Sequence, residues 1–276
     1  MDVSRKVNLS SLTVVILSHN RQNCLIPALK YWDEVGINTL IIDESPQPLK
    51  KSHIPDQCKY IYLNKPFAYR CEVAAENISS KHSILVSDDE VYTPSGLGEM
   101  VNQMNSNDSL VSVGGVALAI WNYGPQISGA WPYRGTHQYE NLFQTNIDRI
   151  KKHTGNGKSP VSAFFTSNVN RTEYLQRCLK LYSKSPVIAT EAISLLTICS
   201  AGYSKFVSDL YWIRNWNEFP KSHSNWDRSI SLDNWWKEKK GTTVWQEFYN
   251  NLHAAYLEVS DSDNFDEVWN LILEAS

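Results

Sequence analysis

The segment Leu12–Leu17 (LTVVIL) is an unbroken run of apolar and β-branched residues, and it leads straight into the polar turn Ser18–Arg21 (SHNR). Such a run predicts a strand that is covered on both faces, as in the middle of a parallel sheet. The next segment, Asn23–Val35, carries apolar residues at helical spacing and stops at Gly36, which predicts a helix closed by a glycine. The chain therefore begins with a strand, a polar turn and a helix.

The alternation of strand and helix continues through the first third of the chain. Strands are predicted at Thr39–Ile42, Tyr60–Leu63 and Ser83–Val86, and a helix at Phe67–Ile78. Strands that alternate with helices of about ten or more residues indicate a parallel sheet with helices on both faces. We therefore expect an α/β fold with a Rossmann-type, mostly parallel sheet.

The rest of the chain predicts further strands and then a helical region. Strands are expected near Leu110–Ile120, around Ser162–Thr166 and at Lys205–Val207, with helices from Arg171 and over Thr190–Ala201. Seven of the ten tryptophans lie from Trp212 onward, among amphipathic stretches that favour helices. We therefore expect a main domain over residues 1–213 and a Trp-rich helical appendage over residues 214–276. The appendage helices are predicted at Leu232–Lys240, Val244–Leu257 and Phe265–Leu273.

The composition disfavours several classes of function. Lys and Arg total 26 against 29 Asp and Glu, so the formal net charge is −3, and no general positive field attracts a nucleic acid. No apolar run approaches the roughly 18–20 residues that cross a bilayer, and Met1–Ser11 lacks the apolar centre of a signal peptide. The five scattered cysteines contain no CxxC pair, which predicts free thiols. We therefore expect a cytoplasmic protein that does not bind nucleic acid.

Polar residues follow directly after four of the predicted strands. In open α/β sheets, ligands bind beyond the carboxyl ends of the strands, so these residues are expected to line one crevice. They are Ser18 to Arg21, Asp43 to Ser45, Asn64 with Lys65, and Asp88 to Glu90.

The acidic cluster Asp88-Asp89-Glu90 carries the strongest chemical signal in this set. The mutual repulsion of three adjacent carboxylates favours a positive partner. Magnesium or manganese suits hard oxygen ligands and is usually bound by one or two carboxylates together with substrate phosphates. The alternative is that the acids cap the helix predicted to start near Pro94.

The order of these motifs resembles that of the inverting family-two glycosyltransferases of the GT-A fold, over residues 11 to 210. The resemblance implies that the first turn packs against a nucleotide, that Asp43 contacts its base or ribose, and that Asp88 and Glu90 hold a Mg or Mn ion. The departures from the family pattern are Glu90 in place of an Asp, and a degraded Asn- and Gly-rich turn at Arg70-Cys71-Glu72. The implied nucleotide-binding residues are Ser18, His19, Asn20, Arg21, Asp43, Asn64, Arg70, Asp88 and Asp89.

The same resemblance implies a catalytic base. The segment Thr190–Tyr203 resembles the family's helix that begins with an acidic pair and ends in Gly-Tyr, with Ala192 replacing the second acid. Glu191 is therefore expected to take the acceptor proton, in the ionised state that is usual for a carboxylate at a helix start. The alternative is that Glu191 only stabilises the first turn of the helix.

Aromatic residues suggest where an acceptor could bind. Trp121, Tyr123, Trp131 and Tyr133 fit a loop over a sugar, because flat aromatic faces stack on sugars, although core packing is an equal explanation. The late tryptophans could seat the protein on the inner face of a membrane that carries a lipid-linked acceptor, or pack internally.

The activity implied by the resemblance is transfer of a sugar from a nucleotide-diphosphate donor to a hydroxyl of a glycan or lipid-linked acceptor. Two alternatives stay open. A nucleotidyltransferase would keep the fold, but Ser18–Gln22 lacks the expected glycine-rich phosphate loop. An inactive scaffold that binds nucleotide or carbohydrate would be consistent with Ala192.

Overall fold

The computed structural model describes residues 8–123, 126–131, 141–155, 165–215, 231–260 and 262–276. The strands are β1 (Leu12–Ser18), β2 (Asn38–Asp43), β3 (Cys58–Tyr62), β4 (His82–Val86), β5 (Val91–Tyr92), β6 (Leu110–Tyr123), β7 (Gln126–Ala130), β8 (Val169–Arg171) and β9 (Tyr203–Asn215). The helices are α1 (Gln22–Val35), α2 (Phe67–Asn77), α3 (Pro94–Ser106), α4 (Asn146–Thr154), α5 (Thr172–Tyr182), α6 (Thr190–Ala201), α7 (Leu232–Lys239), α8 (Thr243–Leu257) and α9 (Phe265–Glu274).

All nine described strands belong to one sheet in the order β3-β2-β1-β4-β8-β6-β9-β5, with β7 paired to β6. The parallel pairs, β1 with β2, β1 with β4, β2 with β3 and β6 with β9, contain most of the paired residues, and β6 with β7 is the longest antiparallel pair among the described strands. The short strands β5 and β8 pair antiparallel with their neighbours. The predicted α/β architecture with a mostly parallel sheet is therefore confirmed.

Helices cover both faces of the sheet, as the uninterrupted apolar character of β1 predicts. Leu12, Val14 and Ile16 point into one core, which contains residues of α1 and α3. Val15 points into the other core, which contains residues of α2, α5 and α6. Successive side chains of a strand alternate between the faces, so both sets of β1 residues are buried.

The sequence prediction placed one strand wrongly and missed two others. A strand was expected around Ser162–Thr166, of which residues 162–164 lie outside the described part. Phe165 and Thr166 form a turn, and the strand β8 follows at Val169–Arg171. The strands β5 and β7 have no counterpart in the prediction, because β5 has two residues and β7 is polar and largely exposed. The strand predicted at Lys205–Val207 lies near the start of the much longer β9.

The three C-terminal helices pack on the main domain and bury, wholly or partly, the four tryptophans that they carry. Residues of α7, α8 and α9 share one core with α5 and α6. Trp236 and Trp269 are buried, with ring centroids 5.5 Å apart, while Trp235 and Trp245 are half-buried beside them. For these residues the structure favours internal packing as the role of the late tryptophans. Within the described ranges, no helix has the length and apolarity needed to cross a membrane.

Candidate active site

The carboxyl ends of β1, β2 and β4 bring the predicted polar residues to one edge of the sheet. Ser18 and Asp43 are partners in the register of β1 with β2, and Ile16 is the β1 partner of Val86, the last residue of β4. The acidic cluster begins two residues after Val86. The first turn, the end of β2 and the acidic cluster therefore meet, as expected from parallel strands.

The Ser18–Arg21 turn is attached to the acidic cluster at two points. The buried Ser18 hydroxyl donates a hydrogen bond of 2.7 Å to Oδ2 of Asp88. The Arg21 guanidinium lies 3.2 Å from Oδ1 of Asp88 and 2.6 Å from Oδ2 of Asp89. Asn20 provides the bend between them with φ of 52°, a left-handed conformation that asparagine adopts more readily than most residues. Arg21 is thus held across both aspartates.

The pKa values of Asp88 and Arg21 depend both on burial and on the charges around them. Burial raises the pKa of Asp88, and the Ser18 hydrogen bond and the Arg21 charge oppose that rise. Burial by itself lowers the pKa of Arg21, but the hydrogen bond to Asp89 and the charges of both aspartates raise it overall. Arg21 is therefore a permanent cation that favours the ionised form of Asp88.

Glu90 turns away from the two aspartates and faces β9. Its Oε1 accepts a hydrogen bond of 2.9 Å from Nε of Arg214, and its Oε2 accepts one of 2.7 Å from the Trp212 indole. The Arg214 guanidinium also lies over the Trp212 ring, 4.8 Å from its centroid. A metal ion could reach Glu90 only beside or in place of these two donors, so the metal ligation expected of Glu90 stays a prediction.

The alternative role of the acids as helix caps is wrong. The strand β5 separates Glu90 from α3, and the N-cap of α3 is Thr93, whose hydroxyl accepts a hydrogen bond of 3.2 Å from the Gly96 backbone N–H. The acidic cluster pairs instead with Arg21 and Arg214, which offset two of its three negative charges.

The donor chemistry of Asp88 and Asp89 still suits a hard divalent cation. Their carboxylates are adjacent. Arg21 contacts one oxygen of each, and the other oxygen of Asp88 accepts the Ser18 hydroxyl. Mg²⁺ and Mn²⁺ commonly use one or two carboxylates and complete their shell with water and substrate phosphates. Among the described residues, no group of three or more His, Cys, Asp or Glu side chains is arranged to hold a metal alone. The residues thus fit a metal that arrives with a phosphate ligand and is bound by Asp88 and Asp89.

Asp43 is fully buried and anchors the turn after β2. Its Oδ1 accepts hydrogen bonds from the backbone N–H and the hydroxyl of Ser45, at 2.9 and 2.7 Å. Its Oδ2 accepts one of 2.7 Å from the Tyr60 hydroxyl, and Nε2 of Gln22 lies 3.5 Å away. These donors occupy the acceptor sites that were predicted to contact a nucleoside. A base or ribose can reach Asp43 only by displacing one of them.

Arg70 is buried, with 5% of its surface exposed, so it is not an exposed helix charge. It donates a hydrogen bond of 2.9 Å to the carbonyl of Ser18 and forms an ion pair of 2.7 Å with Glu44. The exposed His19 is 3.0 Å from the same oxygen of Glu44. Arg70 therefore links the end of β1, where the Ser18–Arg21 turn begins, to Glu44 after β2.

Asn64 differs from the other predicted nucleotide-binding residues. It lies in the exposed loop between β3 and α2, and within the described part of the chain no hydrogen bond joins its side chain to this cluster. The structure brings together Ser18, His19, Asn20, Arg21, Asp43, Arg70, Asp88 and Asp89, with Asn64 at the margin.

Glu191 lies in the first turn of α6 with its side chain exposed to solvent. Surrounding protein atoms nevertheless reduce its hydration and raise its pKa, and the charge of Arg214 partly opposes the rise. The expectation of a low pKa from the helix start is therefore wrong, because lost hydration outweighs the helix dipole. A carboxyl with a raised pKa is a better general base near neutral pH.

The predicted acceptor residues lie on or near the hairpin formed by β6 and β7. Trp121 is half-buried opposite Ser128, and Trp131 directly follows β7 with 49% of its surface exposed. The Tyr123 side chain and all of Tyr133 lie outside the described part of the chain. Trp131 is thus accessible to a ligand, whereas Trp121 is partly covered.

The sequence analysis missed three residues that shape this site and gave a fourth no role. Gln22 and Tyr60 hold Asp43, and Arg214 neutralises Glu90. Glu44 was expected in the crevice because it follows a strand end, and in the structure it links His19 to Arg70. No local signal exists for Arg214, because its partner comes from a strand pair that is more than a hundred residues apart in sequence.

Comparison with known proteins places this site in a known fold. No protein-family model and no curated protein sequence matches the chain. The structure of S. aureus TarS residues 1–349 aligns with 95% of the present chain, and the alignment covers 70% of the TarS chain, with a TM-score of 0.57 and 11% sequence identity. The same TarS segment in complex with UDP-GlcNAc aligns with 95% of the present chain, and the alignment covers 71% of the TarS chain, with a TM-score of 0.58 and 14% identity. A longer TarS structure aligns with 96% of this chain, which covers 43% of it, with a TM-score of 0.57 and 11% identity. At such identities the likeness concerns the fold alone, and the chain has the GT-A-like glycosyltransferase fold.

Proposed function

We propose that this protein transfers a sugar from a nucleotide-diphosphate donor to an acceptor hydroxyl. The observation that carries the proposal is the convergence of the Ser18–Arg21 turn, Arg70 and the Asp88-Asp89 pair at the carboxyl edge of a GT-A-like sheet. TarS, which shares this fold, forms a complex with UDP-GlcNAc. The donor nucleotide is proposed to lie along this edge of the sheet.

The nucleoside end of the donor is assigned to the side chains of Gln22, Asp43 and Tyr60. These side chains form one hydrogen-bonded group beside the first turn. The diphosphate end is assigned to Arg21 and the two aspartates. A Mg²⁺ or Mn²⁺ ion bound there with the donor would neutralise charge that develops on the departing diphosphate.

Glu191 is the proposed general base, which acts on the acceptor, whereas Arg21 and the two aspartates act on the diphosphate of the donor. Its exposed carboxyl is open to solvent at the start of α6, and its raised pKa suits proton removal from an acceptor hydroxyl. In an inverting displacement, one base of this kind is sufficient because no covalent sugar-enzyme intermediate forms. The single acid in this helix turn supports that mechanism.

The acceptor site and the domain organisation are proposed from the exposure of one tryptophan and from the packing of the C-terminal helices. The exposed Trp131 offers a flat face for a glycan or lipid-linked sugar. Residues 1–213 would form the catalytic domain, with the last residues of β9 leading into a helical appendage that supports α6. Contact of the appendage with the cytoplasmic face of a membrane is a further expectation.

A panel of sugar nucleotides tests the proposed function. The protein is incubated with UDP-GlcNAc, UDP-glucose and GDP-mannose in Mn²⁺, and released nucleoside diphosphate is measured with and without candidate acceptors. We expect one donor to be hydrolysed slowly and consumed faster when its acceptor is present. Release of pyrophosphate from a nucleoside triphosphate and a sugar phosphate would instead indicate nucleotidyl transfer. Binding of a donor without any turnover across acceptors would indicate an inactive scaffold.

A further inference from the structure

Acidic side chains outnumber arginines at the carboxyl edge of the sheet. The described acids there are Asp43, Glu44, Asp88, Asp89 and Glu90, and the described arginines are Arg21, Arg70 and Arg214. The cluster therefore has two more negative than positive side chains when all are ionised. A nucleoside diphosphate adds further negative charge, so its binding needs a cation or the release of an arginine from its carboxylate.

The three arginines differ in how firmly they are held. Arg70 is buried and also bonds the Ser18 carbonyl, and Arg214 is fixed on Glu90 beside the Trp212 ring. Arg21 has the most exposed side chain of the three, and it is shared between Asp88 and Asp89. Its release leaves two adjacent carboxylates that a single divalent cation can take up. Arg21 is therefore the arginine best placed to leave its partners.

We infer that Arg21 is an exchangeable counter-ion, which neutralises Asp88 and Asp89 in the free protein and moves to the donor diphosphate when a divalent cation takes its place. This inference rests on the proposed function, because it requires a diphosphate donor. Guanidinium binds phosphate oxygens in the same bidentate manner as carboxylates. The exchange therefore gives Asp88 and Asp89 a positive partner both before and after the donor binds, and it gives the diphosphate one as well.

The exchange makes the metal and the nucleotide depend on each other. A divalent cation alone must compete with Arg21 for the aspartates, and a nucleotide alone meets a surplus of negative charge. When both are present, the metal releases Arg21 to the phosphate and the phosphate completes the metal shell. Such coupling is reciprocal, so each ligand raises the affinity for the other by the same factor.

Arg21→Met tests this competition in two measurements with opposite expected signs. First, Mn²⁺ is titrated without nucleotide, with free Mn²⁺ followed by electron paramagnetic resonance. We expect Arg21→Met to bind Mn²⁺ roughly tenfold or more tightly than the wild type, because a cation in direct contact with both aspartates is gone. Second, UDP and GDP are titrated by calorimetry at saturating Mn²⁺. The nucleotide that the wild type binds should bind Arg21→Met roughly tenfold or more weakly, because a phosphate partner is lost.

The controls separate the exchange from loss of structure and from failure of the proposed function. Arg177→Met removes a half-buried arginine of α5 that pairs with Glu258 and not with any residue of the site, and it should change neither affinity. Arg21→Lys keeps the charge but not the paired donors, so both affinities should move in the same directions by less. If Arg21→Met does not fold, the two affinities of Arg21→Lys test the exchange in its place.

Two outcomes overturn the exchange alone. One is a Mn²⁺ affinity that Arg21→Met leaves unchanged, and the other is an unchanged nucleotide affinity at saturating Mn²⁺ in a protein whose wild type binds UDP or GDP. If the wild type binds neither nucleoside diphosphate with Mn²⁺, the proposed function fails and the exchange fails with it.

Discussion

Replacement of Glu191 by Gln separates a catalytic base from a helix-stabilising acid. Gln keeps the size of the side chain and removes its basicity, so we expect transfer to fall by roughly 10²–10⁴-fold while donor affinity is kept. This loss corresponds to about 2.7–5.4 kcal/mol of activation free energy. Initial rates at saturating donor, together with donor titrations by calorimetry, measure the two effects independently.

The stability of the Glu191→Gln protein should show the opposite sign from that of an ordinary helix-start acid. The pKa of Glu191 is raised in the folded state, so its stabilising contribution is full below the unfolded pKa and is lost as pH rises through the folded pKa. At pH 7 the Gln variant should therefore be at least as stable as the wild type. A residue that costs stability but supports activity is typical of a functional site.

Glu173 provides the matched control, since it is an exposed acid in the first turn of the neighbouring helix α5. Glu173→Gln should lose about 0.3–1 kcal/mol of helix-dipole stabilisation and keep wild-type transfer. The assignment of Glu191 is refuted if Glu191→Gln transfers sugar at the wild-type rate. A product that keeps the anomeric configuration of the donor, seen by proton NMR, would refute the inverting mechanism.

Three further predictions concern pH and packing. The apparent pKa of the acidic limb of the kcat/KM profile should lie above the ordinary range for glutamate, because Glu191 must be deprotonated to act as the base. Arg214→Met should move this limb to higher pH, because it removes a nearby positive charge. A limb that stays in place would exclude this electrostatic role of Arg214. Gly96→Ala should cost about 2 kcal/mol or more in urea unfolding, because its Cβ would lie 2.7 Å from the Cα of Tyr211; wild-type stability would contradict the close approach. Trp269→Ala should cost about 3–5 kcal/mol and lower the midpoint of a single thermal transition, whereas loss of only a separate transition would show that the C-terminal helices unfold independently.

Local patterns were sufficient for the central sheet and for most helix bounds. The LTVVIL run predicts β1 because a strand covered on both faces needs apolar residues at every position, and Gly36 ends α1 in a left-handed C-cap. The helix Thr190–Ala201 was predicted to the residue. The C-terminal helices were predicted within about two residues, since their amphipathic period is continuous.

Local patterns were insufficient where partners come from distant strands. The two-residue β5 has no detectable period, and its pairing with β9 sets Glu90 against Arg214. The partners of Glu90 could not be predicted for this reason, since a sequence shows that three acids need positive partners but not which partners they have.

The sequence by itself determined the fold class and the group of residues that meet at the carboxyl edge. The alternation of strands and helices along the chain, the apolar period and the positions of strand ends are all local properties. Only the tertiary structure decided how those residues are used. It turns Glu90 toward Arg214, buries Asp43 under Tyr60, places Arg21 across Asp88 and Asp89, and raises the pKa of Glu191. Hydration and pairing of a charge depend on everything that packs around it, and those neighbours are fixed only when distant segments of the chain come together.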